Sequence, residues 1–144
     1  MKTKTLSTIL TAGLFVSVIG TSASAAKLHN GVPKKIHSSW ISTKAYSSGP
    51  RINERYKISF NSPSEIRYDF PGESSPGQVA NLKYQSLGKN KYKVVGLIVG
   101  QGGMKSGKKD TFHFKFLSKD KVKVSFKSGS GYPSPWTTTM KRVK

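Results

Sequence analysis

Residues 111–129, "TFHFKFLSKDKVKVSFKSG", interleave aromatic rings with cations. Phe112, Phe114 and Phe116 share one parity against His113 and Lys115. After Ser118-Lys119-Asp120-Lys121, Val122, Val124 and Phe126 oppose Lys123 and Lys127. Period two sends successive side chains to opposite faces of a strand, so rings and ammonium groups leave this wall in opposite directions. A single-stranded nucleic-acid platform needs them in one groove, with bases stacked on rings and phosphates held by cations. The parity instead predicts two strands of a barrel wall, rings inward and lysines in water.

The same period runs outward from this stretch. Tyr56, Ile58 and Phe60 alternate with Arg55, Lys57 and Ser59; past a four-residue "NSPS" connection, Ile66, Tyr68 and Phe70 alternate with Glu65, Arg67 and Asp69. "VANLKYQSL" and "KYKVVGLIVG" flank the turn-forming Gly88-Lys89-Asn90. With "HSSWISTKA" before and "WTTTMKRV" after, the chain holds eight candidate strands joined by short polar turns. A meander of that length leaves two exposed edges unless it closes. The expected fold is therefore all-β, an eight-stranded antiparallel up-and-down barrel, with a two-sheet sandwich as the rival. Leu117 and Val95 break parity in the manner of strand ends and bulges. "FPGESSPGQ", "VGQGGMKSGKKD" and "SGSGYPSP" read as loops.

The N-terminus has a different character. Lys2 and Lys4 precede an apolar run over residues 6–19, and Ala23-Ser24-Ala25 follows. This order is the profile of a secretory signal peptide over residues 1–25, leaving a barrel domain over 26–144. Fourteen residues containing Ser, Thr and Gly fall short of the roughly 20 that span a bilayer. Losing Lys2 and Lys4 lowers the net charge only from +19 to +17, so the basic character belongs to the exported domain. The absence of cysteine rules out disulfides and thiol chemistry. The expected product is a secreted, soluble monomer, with a lean towards a bacterial exporter.

Catalytic and metal motifs are lacking. "GGMKSGKK" fits G-x-x-x-x-G-K, but Lys109 stands where a phosphate loop needs Ser or Thr, and a strand rather than a helix follows. His29, His37 and His113 have no metal-ligand spacing. Glu54, Glu65, Asp69, Glu73, Asp110 and Asp120 mostly fall at outward parity or in turns, which predicts no buried carboxylate pair for acid–base work. No G-x-S-x-G elbow occurs. The reading is a non-enzyme without cofactor or metal.

Two surfaces remain. Tyr56, Phe60, Tyr68, Phe70, Tyr84, Tyr92, Phe112, Phe114, Phe116 and Phe126 should line the interior, where eight strands leave room for packed side chains or one small ligand. A packed core is the favoured alternative; if a small hydrophobic ligand enters, Trp40, Tyr56, Tyr68, Tyr84, Tyr92, Phe114 and Trp136 are the candidate contacts. Outside, Lys34, Lys35, Lys89, Lys91, Lys93, Lys105, Lys108, Lys109, Lys121, Lys123, Lys141, Arg142 and Lys144 form the candidate polyanion surface. Solubility asks for a net charge of only about 2 to 8 in a small domain.

"PKKIHSSWIS" ahead of the strands resembles the start of a calycin, the superfamily of lipocalins and related small barrels. There a turn of helix leads into G-x-W on the first strand, and a basic residue of the last strand covers the Trp ring. The corresponding residues are Ser38-Ser39-Trp40, with Ser in place of the family glycine, and Lys141 or Arg142. The mature start "KLHNGVPKKIHSSW" is also similar to small exported proteins of lactic-acid bacteria. Together these features lead to a secreted, cationic, non-enzymatic barrel that associates with the bacterial cell envelope through polyanions. Wall teichoic acids are the first candidates, ahead of anionic lipid and extracellular DNA. A lipocalin-type carrier or secreted inhibitor acting through its loops is the alternative, and a nucleic-acid binder the second alternative, with no specific nucleic acid expected.

Overall fold

A computed structural model describes residues 27–46, 51–70, 76–131 and 134–144. The expected signal peptide lies outside the described residues, as do residues 47–50, 71–75 and 132–133. The chain forms β1 (His29–Asn30), β2 (Trp40–Ser42), β3 (Lys57–Ser62), β4 (Glu65–Asp69), β5 (Gly77–Ser86), β6 (Lys91–Val99), β7 (Lys105–Ser118), β8 (Lys121–Lys127) and β9 (Trp136–Arg142). Neighbours pair antiparallel from β2 to β9, and β9 returns to β2 through Trp40↔Arg142, Ile41↔Lys141 and Ser42↔Met140. The eight strands thus close, which removes the free edges an open meander would expose.

The wall obeys the parity of the sequence. Phe112↔Phe126, Phe114↔Val124 and Phe116↔Val122 face one another across β7 and β8, all buried, while Lys115↔Lys123 points outward. The core joins these to Trp40, Ile58, Ile66, Tyr68, Phe70, Val79, Leu82, Val94 and Met140; Tyr56, Phe60, Tyr84, Tyr92 and Trp136 pack against it, half-buried. Burial of a single Phe or Leu side chain is worth about 1.5–3 kcal/mol, and among the described residues no cross-link supplements it.

Several details differ from the sequence expectation. The β3–β4 connection is tighter than "NSPS", because Asn61 and Ser62 belong to β3. The supposed loop "VGQGGMKSGKKD" is mostly strand: β7 already begins at Lys105, paired with Val99, and only a 3-10 turn over Gln101–Gly103 separates it from β6. Its lysines and glycine suggested a turn, but pairing along β6 overrides those weak local preferences. β1 was not expected; it pairs with Lys83 and Tyr84 where β4 has ended, and so extends the β5 ladder.

The register of β5 shifts between Ala80 and Lys83. Asn81 takes a φ of 53°, a left-handed conformation that Asn tolerates better than most residues. The bulge turns Leu82 into the core against Gly96, where an added Cβ would lie 2.7 Å from Leu82 Cδ2. Gly96 is therefore the gap in β6 that the bulged leucine fills.

Candidate functional site

One end of the barrel is sealed. Before β2, Pro33 O accepts from the amides of Ile36 and His37, making a single turn that drops Ile36 into the core. Trp40 is 1% exposed and donates from Nε1 to Ile36 O at 2.9 Å. The Arg142 guanidinium lies 4.7 Å from the Trp40 ring centre, ion-pairs with Asp120 and donates to the carbonyls of Lys35 and Lys119. Lys35 lies over Phe116 at 4.3 Å and donates to Asn90. Lys35 and Arg142, both candidate polyanion contacts, are thereby engaged in closing this end.

At the opposite end the rings touch in series. Trp136 meets Phe70 at 4.5 Å, Tyr56 at 4.8 Å and Phe126 at 5.5 Å, and Tyr68 stacks on Phe70 at 4.4 Å. Burial raises the Tyr56 phenol above its ordinary range, with Tyr46 adding to the effect. The indole Nε1 of Trp136 is buried without an acceptor among the described residues.

This end also corrects the reading of the acids. Asp110 is wholly buried, on the same parity as Phe112 and Phe114. Its Oδ1 accepts from Ser128 Oγ at 2.8 Å and the Gly129 amide at 3.1 Å, and its Oδ2 from Tyr68 Oη at 3.1 Å. Burial pushes its carboxyl above the ordinary range, against the lowering effect of those three donors. The signal was present in the sequence: extending the β7 alternation two residues upstream of Phe112 places Asp110 inside. It is a single carboxylate with structural partners and no second acid beside it among the described residues, where no group of three potential metal ligands occurs either.

The candidate ligand contacts divide accordingly. Trp40, Tyr68 and Phe114 are enclosed in packing, at 1%, 5% and 1% exposure. Tyr56 and Trp136 belong to the ring-lined end, while Tyr84 and Tyr92 form an edge contact of 6.5 Å nearer the sealed end.

The lysines are not spread evenly over the outer wall. Lys91↔Lys115↔Lys123 lie in one register row across β6, β7 and β8, which ends at Thr139 on β9; two residues along β8, Lys121 pairs with Lys141 as a separate pair of cations. Residues directly opposite have Cβ atoms about 4.5–5.5 Å apart, close enough for like charges to repel. No acid points outward from these three strands. The described acids are engaged elsewhere: Glu54 and Asp69 with Arg51, Glu65 with Asn61, Asp120 with Arg142, and Asp110 in the interior. Glu65 and Asp69 lie on β4, four strands from β8 in either direction and so across the barrel from it. Lys34, Lys89, Lys105, Lys108, Lys109 and Lys144 are exposed as well, and Lys93 is half-exposed. Burial and then Lys93 hold the His113 imidazole below its ordinary range, so this position on the cationic wall is neutral near pH 7.

No family model, curated protein or solved structure matches the chain.

Proposed function

We propose that this protein is an exported, non-enzymatic barrel that holds to the anionic polymers of a bacterial cell envelope through the outer wall of β6, β7 and β8. The carrying observation is the Lys91–Lys115–Lys123 row, three cations in register with no outward acid on their strands. Such a row is self-repelling when the protein is alone. A chain of phosphates laid across the strands relieves that repulsion and releases its own counterions. The attraction extends about one screening length, roughly 8 Å at physiological salt. Polymers of the teichoic-acid type supply such phosphates; the calycin-like pairing of Trp40 with Arg142 supports a rigid frame that presents the row.

Retention tests the reading directly. Washing cells that express the protein with about 0.5 M salt, where the screening length falls to about 4 Å, should release it. On purified wall polymer, replacing Lys91, Lys115 and Lys123 together by Gln should flatten the dependence of log K on log salt by about 2 to 3. Retention indifferent to salt and to this triple substitution removes the proposal.

A second reading, a small-ligand carrier, is favoured by the buried indole N–H of Trp136, which has no acceptor among the described residues and lies among the rings of Tyr56 and Phe70. A small aromatic ligand bearing an acceptor would satisfy that group. A shift of the Trp136 indole proton on titration with such ligands tests it, and a silent resonance rejects it.

A further inference from the structure

The outer wall carries one feature that the lysine row does not explain. On β6 the outward positions change from Lys91 and Lys93 to Val95, Leu97 and Val99. Each aliphatic has a partner that keeps it between cations or beside one: Lys83 and Thr111 flank Val95, Lys109 opposes Leu97, and Lys105 opposes Val99. The β5 bulge pushes Asn81 outward here, and Lys105 Nζ reaches across β6 to Asn81 Oδ1 at 3.1 Å, closing one end. At the other, β1 pairs with Lys83 and Tyr84 and so brings Leu28, 55% exposed, against the wall. The result is a groove of about 380 Å³ with Leu28, Val95 and Leu97 as its apolar surface and Lys83, Lys93 and Lys109 around it.

A volume above about 300 Å³ is within the range of small-molecule sites. An apolar floor with a lysine rim matches one ligand chemistry, an aliphatic chain ending in an anion. The chain covers the exposed leucines, and the headgroup meets ammonium groups whose four-carbon stems reach over the floor. A neutral hydrophobe would leave those cations unused, and a bare phosphate would leave the leucines wet. We propose that this external groove between β5 and β6 is a binding site for a single-chain anionic amphiphile of the fatty-acid class. It is separate from the ring-lined barrel interior and from the Lys91–Lys115–Lys123 row, so it stands or falls independently of polymer binding.

Methyl-detected NMR of the purified protein at pH 7 tests this with monomeric decanoate as the probe. The expected result is saturable shifts at Leu28, Val95 and Leu97, with the Trp136 indole proton unmoved. Acetate, which has the head without the tail, and decyltrimethylammonium, which has the tail with the opposite charge, should each bind at least ten-fold more weakly. Lys83→Gln, on β5 and outside the β6–β8 wall, should weaken decanoate about ten-fold while leaving salt-dependent polymer binding in place; Leu97→Asn should weaken it similarly. The proposal is overturned if decanoate moves Trp136 and not the groove methyls, or if acetate or the cationic amphiphile binds as well as decanoate. Response to anionic phospholipid vesicles without response to monomeric decanoate would make the groove a membrane contact and also overturn it.

Discussion

Arg142 covers the Trp40 ring at 4.7 Å and so joins the last strand of the barrel to the first. The same guanidinium holds Asp120 and two carbonyls, those of Lys35 and Lys119, from two other segments. It ties the closing seam to the turn before β2 and to the β7–β8 turn. Lysine has one compact ammonium on a flexible stem and cannot reproduce this planar, multiply donating contact. Arg142→Lys should therefore destabilise the fold by about 1–3 kcal/mol, from a cation–π contact and hydrogen bonds to a charged group. Urea unfolding measures it; equal midpoints for the two proteins would show the seam to be held by strand pairing alone.

This pairing was legible in advance from "SSW" and "KR", although the sequence left Lys141 and Arg142 as equal choices. Register decides between them: Lys141 opposes Ile41 on the outer face, whereas Arg142 pairs with Trp40 and turns inward. Strand existence and closure were readable for the reason that inward and outward faces differ so sharply in polarity. Asp110 was obscured because "KSGKKD" has the composition of a loop, which hid the continuation of the β7 alternation upstream of Phe112; pairing to β6 makes the segment strand. The outer groove was hidden for a related reason. Val95 was read as a break in parity, but it begins an aliphatic stripe whose lysine neighbours are distant in sequence: Lys83, opposite Val95, comes 12 residues earlier, and Lys109, opposite Leu97, comes 12 residues later.

Lys115 stands between Lys91 and Lys123 with no acid on the same wall. Lys115→Gln removes both repulsive neighbours at once and leaves the buried face untouched. Stability should rise by about 0.2–1 kcal/mol at low ionic strength. The gain should fade near 1 M salt, where the screening length is about 3 Å. Thermal unfolding across a salt series reads the effect, and a loss of stability at low salt would mean that the lysine stem contributes more by packing than its charge costs.

Gly77 opposes Tyr68 in the β4–β5 ladder, and the tyrosine ring lies over it so closely that an added Cβ would come within 2.1 Å of Cζ. Gly77→Ala must displace the ring, and with it the hydroxyl that donates to Asp110. Overpacking of this kind costs about 1–3 kcal/mol. Tyr68→Ala alone should cost about 3–5 kcal/mol, by analogy with other large aromatic truncations. The double variant should be less destabilised than the sum, since the clash disappears with the ring. Strict additivity in a double-mutant cycle would contradict the contact.

Asp110 predicts the sign of a pH effect. Because burial raises its folded-state pKa above the unfolded value of about 3.9, the folded protein binds the proton more tightly than the unfolded chain. Its contribution to stability is therefore complete below about pH 4 and is lost as pH rises through the raised folded value. Most surface carboxylates act in the opposite sense, so the total curve mixes both. Asp110→Asn isolates the group, since the amide keeps an acceptor for Ser128 and Gly129 without a charge to bury. The stability of the wild type relative to this variant should fall as pH rises from about 4, then level off once the carboxyl is ionised. Tyr68→Phe removes one donor that favours the ionised form, so its own plateau should begin at a higher pH. Urea unfolding from pH 3.5 to 7 measures all three proteins. Parallel wild-type and Asp110→Asn curves would mean that the three donors offset burial completely, and that Asp110 titrates in the folded protein as it does in the unfolded chain.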